Sequence, residues 1–135
     1  MPVPNLRQFR SLVARVVEAL PGEFLDRMEN LVIDVEEEPS EADLRYLERR
    51  DALEAGDEEL FGLFHGVSAL EEGAPAQPMN RIVIFRGAHV RTCRTRSELL
   101  RQVRATVLHE LAHHFGYDED DLADFEARHG PADDD

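Results

Sequence analysis

The chain has 135 residues, 42% of them hydrophobic, which is enough to bury one core and too little for two independent domains of ordinary size. Its 29 acidic residues against 15 basic ones leave a net charge of −14, which opposes binding to nucleic-acid phosphates and to anionic membrane surfaces. All the basic residues are arginines, which excludes lysine Schiff-base chemistry, and the single Cys93 excludes an intrachain disulfide and fits a reducing compartment.

Residues 1–20 carry Arg7, Arg10 and Arg15 and no acid before Glu18, as a targeting segment would. Their longest apolar stretch is too short and too interrupted for a secretory core or a membrane span, so a cytoplasmic protein is expected. Phe9, Leu12, Val13, Val16, Val17 and Leu20 recur at three- and four-residue spacing, which predicts an amphipathic helix from Asn5, capped by that residue with Gln8 at the capping-box position. Pro21-Gly22 stops it, and a short second helix is expected over residues 24–29.

Leu31-Val32-Ile33-Asp34-Val35 is β-branched and apolar and runs into Glu36-Glu37-Glu38-Pro39, the pattern of a strand entering a loop. Residues 40–55 read either way: Ser40 and Asp43 can cap a helix, yet Leu44, Leu47 and Leu53 form only a thin stripe in a heavily charged segment. Residues 60–67, with Phe61, Leu63 and Phe64 between Gly62 and Gly66, suit a strand with a bend, and residues 71–78 a loop. Arg81-Ile82-Val83-Ile84-Phe85-Arg86 is the clearest strand, apolar on both faces and ended by Gly87.

Thr95 and Glu98 make a second capping box, and Leu99, Leu100, Val103, Val107, Leu108, Leu111, Ala112 and Phe115 carry a wide helical stripe up to Gly116. Residues 120–128, with Leu122, Ala123 and Phe125, predict a last short helix. One domain is expected over residues 1–130, with residues 131–135 an acidic, disordered tail.

The long helix carries His109-Glu110-Leu111-Ala112-His113. Residues four apart on a helix share a face, so His109 and His113 can present two neutral imidazoles to one Zn²⁺ at about 2 Å each. Glu110, one step round, stands beside the ion, where it can take a proton from a zinc-bound water and act as general base. A catalytic zinc needs a third protein ligand and an open fourth place. Gly116 can turn the chain back toward the helix, which makes Glu119 and Asp118 the nearest oxygen donors, with capping of the next helix by these acids as the plainer reading.

These residues carry a resemblance. HExxHxxGxx followed by a third ligand is the zinc pattern of metzincin-like peptidases, with Glu119 standing where they usually have His. The whole run from His109 through His114-Phe115-Gly116-Tyr117-Asp118 to Glu119 more closely resembles the bacterial minimal zincin-like family of metallopeptidases, which has an acid at that place. Upstream, Leu60 to Val67 with His65, the strand over residues 81–85 and Cys93-Arg94 match the family's layout, so the resemblance covers residues 31–122. The methionine turn of metzincins has no counterpart in it.

The resemblance implies an α+β, compact single-domain zincin-like fold: a small mixed sheet packed on a long HExxH helix, with flanking N- and C-terminal helices. It further implies a zinc metallopeptidase holding one ion by His109, His113 and Glu119, with Asp118 as the alternative ligand, and using Glu110 as base. A peptide or protein substrate would add antiparallel to an exposed sheet edge, taken to be the strand over residues 81–86. The rival reading is a non-catalytic, zinc-stabilised protein-interaction domain in which the ion fixes the turn at Gly116. Oligomeric state has no signature in the sequence.

The other candidates have plainer readings. His114 reads as a surface or supporting residue, and His65, His89 and His129 as surface residues, with His65 alone placed to approach the cleft. Cys93 reads as a small core residue despite Arg91, Arg94 and Arg96 nearby, and the acidic runs, among them Glu36 to Glu38, as solvated faces.

Overall fold

The computed structural model describes residues 2–28, 30–49, 60–66, 80–116, 120, 121, 124, 127 and 128. Its first helix, α1 (Leu6–Glu18), starts where the Asn5 side chain accepts from Gln8 N–H at 2.8 Å while the Gln8 side chain accepts from Asn5 N–H at 2.9 Å. The predicted box therefore forms, and Phe9, Leu12 and Val13 turn into the core. The second helix, α2 (Gly22–Leu25), follows Pro21 and is a single turn that buries Phe24.

Strand β1 (Leu31–Glu36) leads to α3 (Glu41–Arg49), which resolves the ambiguity of that segment. Ser40 Oγ accepts from Asp43 N–H at 3.0 Å and Asp43 Oδ2 accepts from Ser40 N–H at 2.9 Å, so reciprocal capping starts a helix whose apolar stripe alone is thin. Strands β2 (Gly62–His65) and β3 (Asn80–Phe85) complete the sheet. Helix α4 (Arg86–Thr92) then follows β3 without a loop, where the sequence pointed only to a stop at Gly87.

The last long element is α5 (Arg96–Phe115). Thr95 caps it in a box with Glu98, and Gly116 ends it at φ 85°, a left-handed conformation natural to glycine. Beyond it, residues 120, 121, 124, 127 and 128 are helical, in line with the expected short helix.

The sheet order is β1-β3-β2, with β1 parallel and β2 antiparallel to β3. One face carries Ile82 and Ile84 of β3, Val35 of β1 and Phe64 of β2 against α1 and α5, whose Val103, Val107, Leu108 and Leu111 are almost fully buried. The other face carries Leu63, Val83 and Phe85, with Tyr46 and Leu60 packed on them. The molecule is thus an α+β fold, a small mixed sheet laid on a long helix.

Two expectations change here. The strand over residues 81–86 is the central strand and offers no free edge, because both its faces and both its sides are covered. The acids of β1 and of the run that leaves it are not simply a solvated face. Arg81 bonds Asp34 at 2.8 Å and Glu36 at 2.7 Å, Arg86 bonds Glu37 at 2.6 Å, and Arg91 bonds Glu38 at 2.6 Å, tying this run to β3 and α4.

Candidate metal centre

Helix α5 brings His109 and His113 onto one face with ring centroids 5.1 Å apart and planes at 74°. His109 is half-buried and His113 exposed, both in the C-terminal half of a twenty-residue helix, whose carbonyl end favours a nearby cation. Phe64 of β2 stacks on the His113 ring at 6.2 Å and 19°, which orients that imidazole. Two imidazoles so placed fit one divalent ion as a pair of nitrogen ligands. Among the described residues no third acidic, His or Cys side chain joins them. Glu119 and Asp118, together with Tyr117, lie outside the described residues, as do the loop over residues 71–78, His129 and the acidic tail.

Glu110 lies between these histidines in sequence but on the inner side of the helix, 7% exposed. Burial pushes its carboxyl up to about 7, against a smaller downward pull from His109. Such a group holds its proton near neutrality, and a cation on the adjacent imidazoles lowers it again.

The wall opposite Glu110 is β2. A β-carbon on Gly62 would lie 2.7 Å from Thr106 Cγ2, 3.2 Å from Val83 O and 3.3 Å from Glu110 Cγ, so glycine is what lets the strand settle on the motif helix. In sequence Gly62 suits a bend, and an isolated glycine inside a strand equally signals a close backbone approach, which is its place here.

Among the described residues β2 has a neighbour on one side only. Phe85 N–H donates to the Phe61 carbonyl at 2.9 Å, and Leu63 pairs with Val83 and His65 with Arg81. Backbone groups alternate along an antiparallel strand, so Gly62 and Phe64 turn theirs to the outer edge. Beside that edge a cleft of about 330 Å³ is lined by Leu60, Phe61, Gly62, Gln102, Ala105, Thr106, His109 and Glu110.

Three further histidines lie among the described residues. His89 is fully buried rather than on the surface: its Nδ1 donates to the Phe85 carbonyl at 2.7 Å, and its Nε2 faces Thr106 Oγ1 at 3.1 Å. A carbonyl can only accept, so the proton sits on Nδ1, and burial lowers the ring's pKa and keeps it neutral. Nothing in the spacing of residues 86–92 marks this, because the helix they form was not foreseen.

His114 is also buried, with Nδ1 2.9 Å from Asn80 Nδ2, and it supports the start of β3 instead of reaching solvent. His65 turns away from the cleft: its Nε2 is 3.0 Å from the buried Asp43 carboxylate and its ring lies 4.4 Å from Tyr46. Cys93 is half-buried against the core, and burial pushes its thiol up, opposite to the effect that clustered arginines would have had.

A family model described as zincin-like metallopeptidase matches residues 28–129. Among solved structures, a conserved hypothetical protein from Thermus thermophilus is similar with a TM-score of 0.51 and 23% identity, over 83% of this chain and 94% of that one. That likeness concerns the fold. No curated protein shows a match to the chain.

Proposed function

The chain belongs to the zincin-like metallopeptidase family, and from that premise we propose that it hydrolyses peptide bonds with one Zn²⁺ held by His109, His113 and an acid after Gly116. Glu119 is the preferred third ligand and Asp118 the alternative. The observation that carries the proposal is the buried Glu110 carboxyl, set between the imidazole-bearing face of α5 and the outer edge of β2. A helix that used two histidines only to hold a structural ion would have no use for a carboxyl at that depth.

When bound, zinc supplies a Lewis acid that polarises the scissile carbonyl and makes water a nucleophile near neutral pH. Glu110 takes the proton of the attacking water and returns it to the departing amine. The substrate lies antiparallel to β2, its backbone pairing with the outward groups of Gly62 and Phe64. This replaces the strand over residues 81–86 as the docking edge. The cleft beside Glu110 excludes part of the solvent and so strengthens each polar contact made there. Residues 1–130 act as one domain.

The test compares wild type, Glu110→Gln and His109→Ala for bound zinc and for cleavage of a diverse peptide library. Glu110→Gln should keep one zinc per chain and lose cleavage by roughly 100-fold or more, whereas His109→Ala should lose the zinc. Zinc-loaded wild type that cuts no peptide would sink the proposal. That result would leave a zinc-stabilised interaction domain, which needs neither Glu110 nor an open coordination place.

A further inference from the structure

Helix α5 and strand β2 run alongside each other in the same direction. Phe61 shares its surroundings with Gln102 and Ala105, Gly62 sits on Thr106 and Glu110, and Phe64 reaches His113 and His114. A peptide antiparallel to β2 therefore runs the other way, from the His113 end toward the Gln102 end. The residues that follow the cut bond travel toward the start of α5. This orientation rests on the peptidase reading above.

At that end the cleft continues into a second depression of about 500 Å³, which shares Phe61, Gln102 and Ala105 with the first. Beyond those three it is lined by Arg94, Arg101, Glu98 and Cys93 with Thr92. The Glu98 carboxylate accepts from the N–H of Arg94 at 2.7 Å and of Thr95 at 3.3 Å, which caps α5 and holds it below the usual carboxylate range. The Cys93 thiol stays protonated, because burial pushes it up. Two guanidinium groups against one committed carboxylate, beside the positive end of a long helix, make this stretch cationic in a chain of net charge −14.

We infer that the groove running from Glu110 to Arg94 and Arg101 is a subsite for a substrate carboxylate on the C-terminal side of the bond that is cut. Arg101 precedes His109 by eight residues on one helix, a rise of about 12 Å. An extended peptide covers that distance in roughly three to four residues. The carboxylate is either an Asp or Glu side chain at that position or the free C-terminus of a short peptide; both offer the planar pair of oxygens that guanidinium groups grip.

The test uses fluorescein-labelled octapeptide libraries, each with one position fixed as Glu, Gln or Lys, and each made with a free or an amidated C-terminus. Binding to zinc-loaded wild type, Arg94→Gln/Arg101→Gln and Arg94→Glu/Arg101→Glu is read by anisotropy, with cut sites mapped by mass spectrometry. In wild type, the peptide that carries the carboxylate, either Glu against Lys near the C-terminal side or a free against an amidated C-terminus, should bind about five- to tenfold more tightly. The preference should vanish in the glutamine pair and invert in the glutamate pair. Tighter binding of free than of amidated peptides, whatever the fixed residue, identifies the terminal carboxylate as the ligand, and tighter binding of Glu than of Lys in both forms identifies the side chain. Neither preference in wild type, or one unchanged in both variants, overturns the inference. Because anisotropy reads binding without cleavage, a charge preference in a protein that cuts nothing would sink the peptidase and leave the subsite standing.

Discussion

Gly62 of β2 and Thr106 of α5 approach so closely that a β-carbon on the glycine would lie 2.7 Å from Thr106 Cγ2. Thr106 is buried and held by its own bond to the Gln102 carbonyl at 2.9 Å, so it has little room to yield. Gly62→Ala should therefore push the strand off the motif helix, cost about 1–3 kcal/mol and lower activity more than a surface mutation of similar cost. Adding Thr106→Ser, which deletes the obstructing methyl and keeps the hydroxyl, should restore most of the loss. Denaturant melts of the four proteins in this cycle check it; a purely additive result would show that the contact does not matter.

Glu110 makes the metal-free chain sensitive to pH in a direction opposite to most carboxylates. Its folded value, about 7, stands above the 4.5 of an unperturbed glutamic acid. The folded state thus keeps a proton that the unfolded state has lost. Stability from this group is complete below 4.5 and declines until the pH passes about 7, a change on the order of 3 kcal/mol. Glu110→Gln stays neutral, so in chelator its stability advantage over wild type should grow between pH 4.5 and 7 and then level off. A gap that does not change over that range would contradict the burial argument.

His89 acts in the other sense. Its ring fills the space between Phe9, at 5.3 Å, and Phe61, at 5.0 Å, and satisfies the Phe85 carbonyl. His89→Ala should cost about 2–4 kcal/mol, through a cavity and an unpaired buried acceptor. Because burial lowers its pKa below 6.5, the stability it provides is complete above 6.5 and is lost as the pH falls toward the lowered value. Chemical denaturation at a series of pH values should show the penalty of His89→Ala shrinking on the acid side.

The third ligand can be assigned by affinity. Glu119→Gln should weaken zinc binding by at least about tenfold, and Asp118→Asn by much less. Competition with a chromophoric chelator measures both. Equal and small effects would place the third donor elsewhere in the chain.

Much of this was legible in the sequence. The two capping boxes, at Asn5 with Gln8 and at Thr95 with Glu98, are local chemistry, and both helices begin where they say. The central place of β3 is written in its sequence too: Ile82, Val83, Ile84 and Phe85 are apolar at consecutive positions, and a strand buried on both faces belongs in the middle of a sheet. His89 and His114 were not legible. Their partners Phe85, Thr106 and Asn80 come within reach only after the chain has folded, and a lone histidine in sequence gives no sign of which way it will point. That His109 and His113 share one face of α5 could be read from spacing, but the depth of Glu110 depends on β2, which comes more than forty residues earlier.

That last separation has a consequence in time. His109 and His113 are neighbours as soon as one turn of α5 winds, a local event on the microsecond scale or faster. The wall that buries Glu110 appears only when β2, paired antiparallel with β3, has settled on α5. Such long-range closure is slow. A partly folded chain can therefore hold its two imidazoles side by side before the carboxyl between them in sequence has been buried.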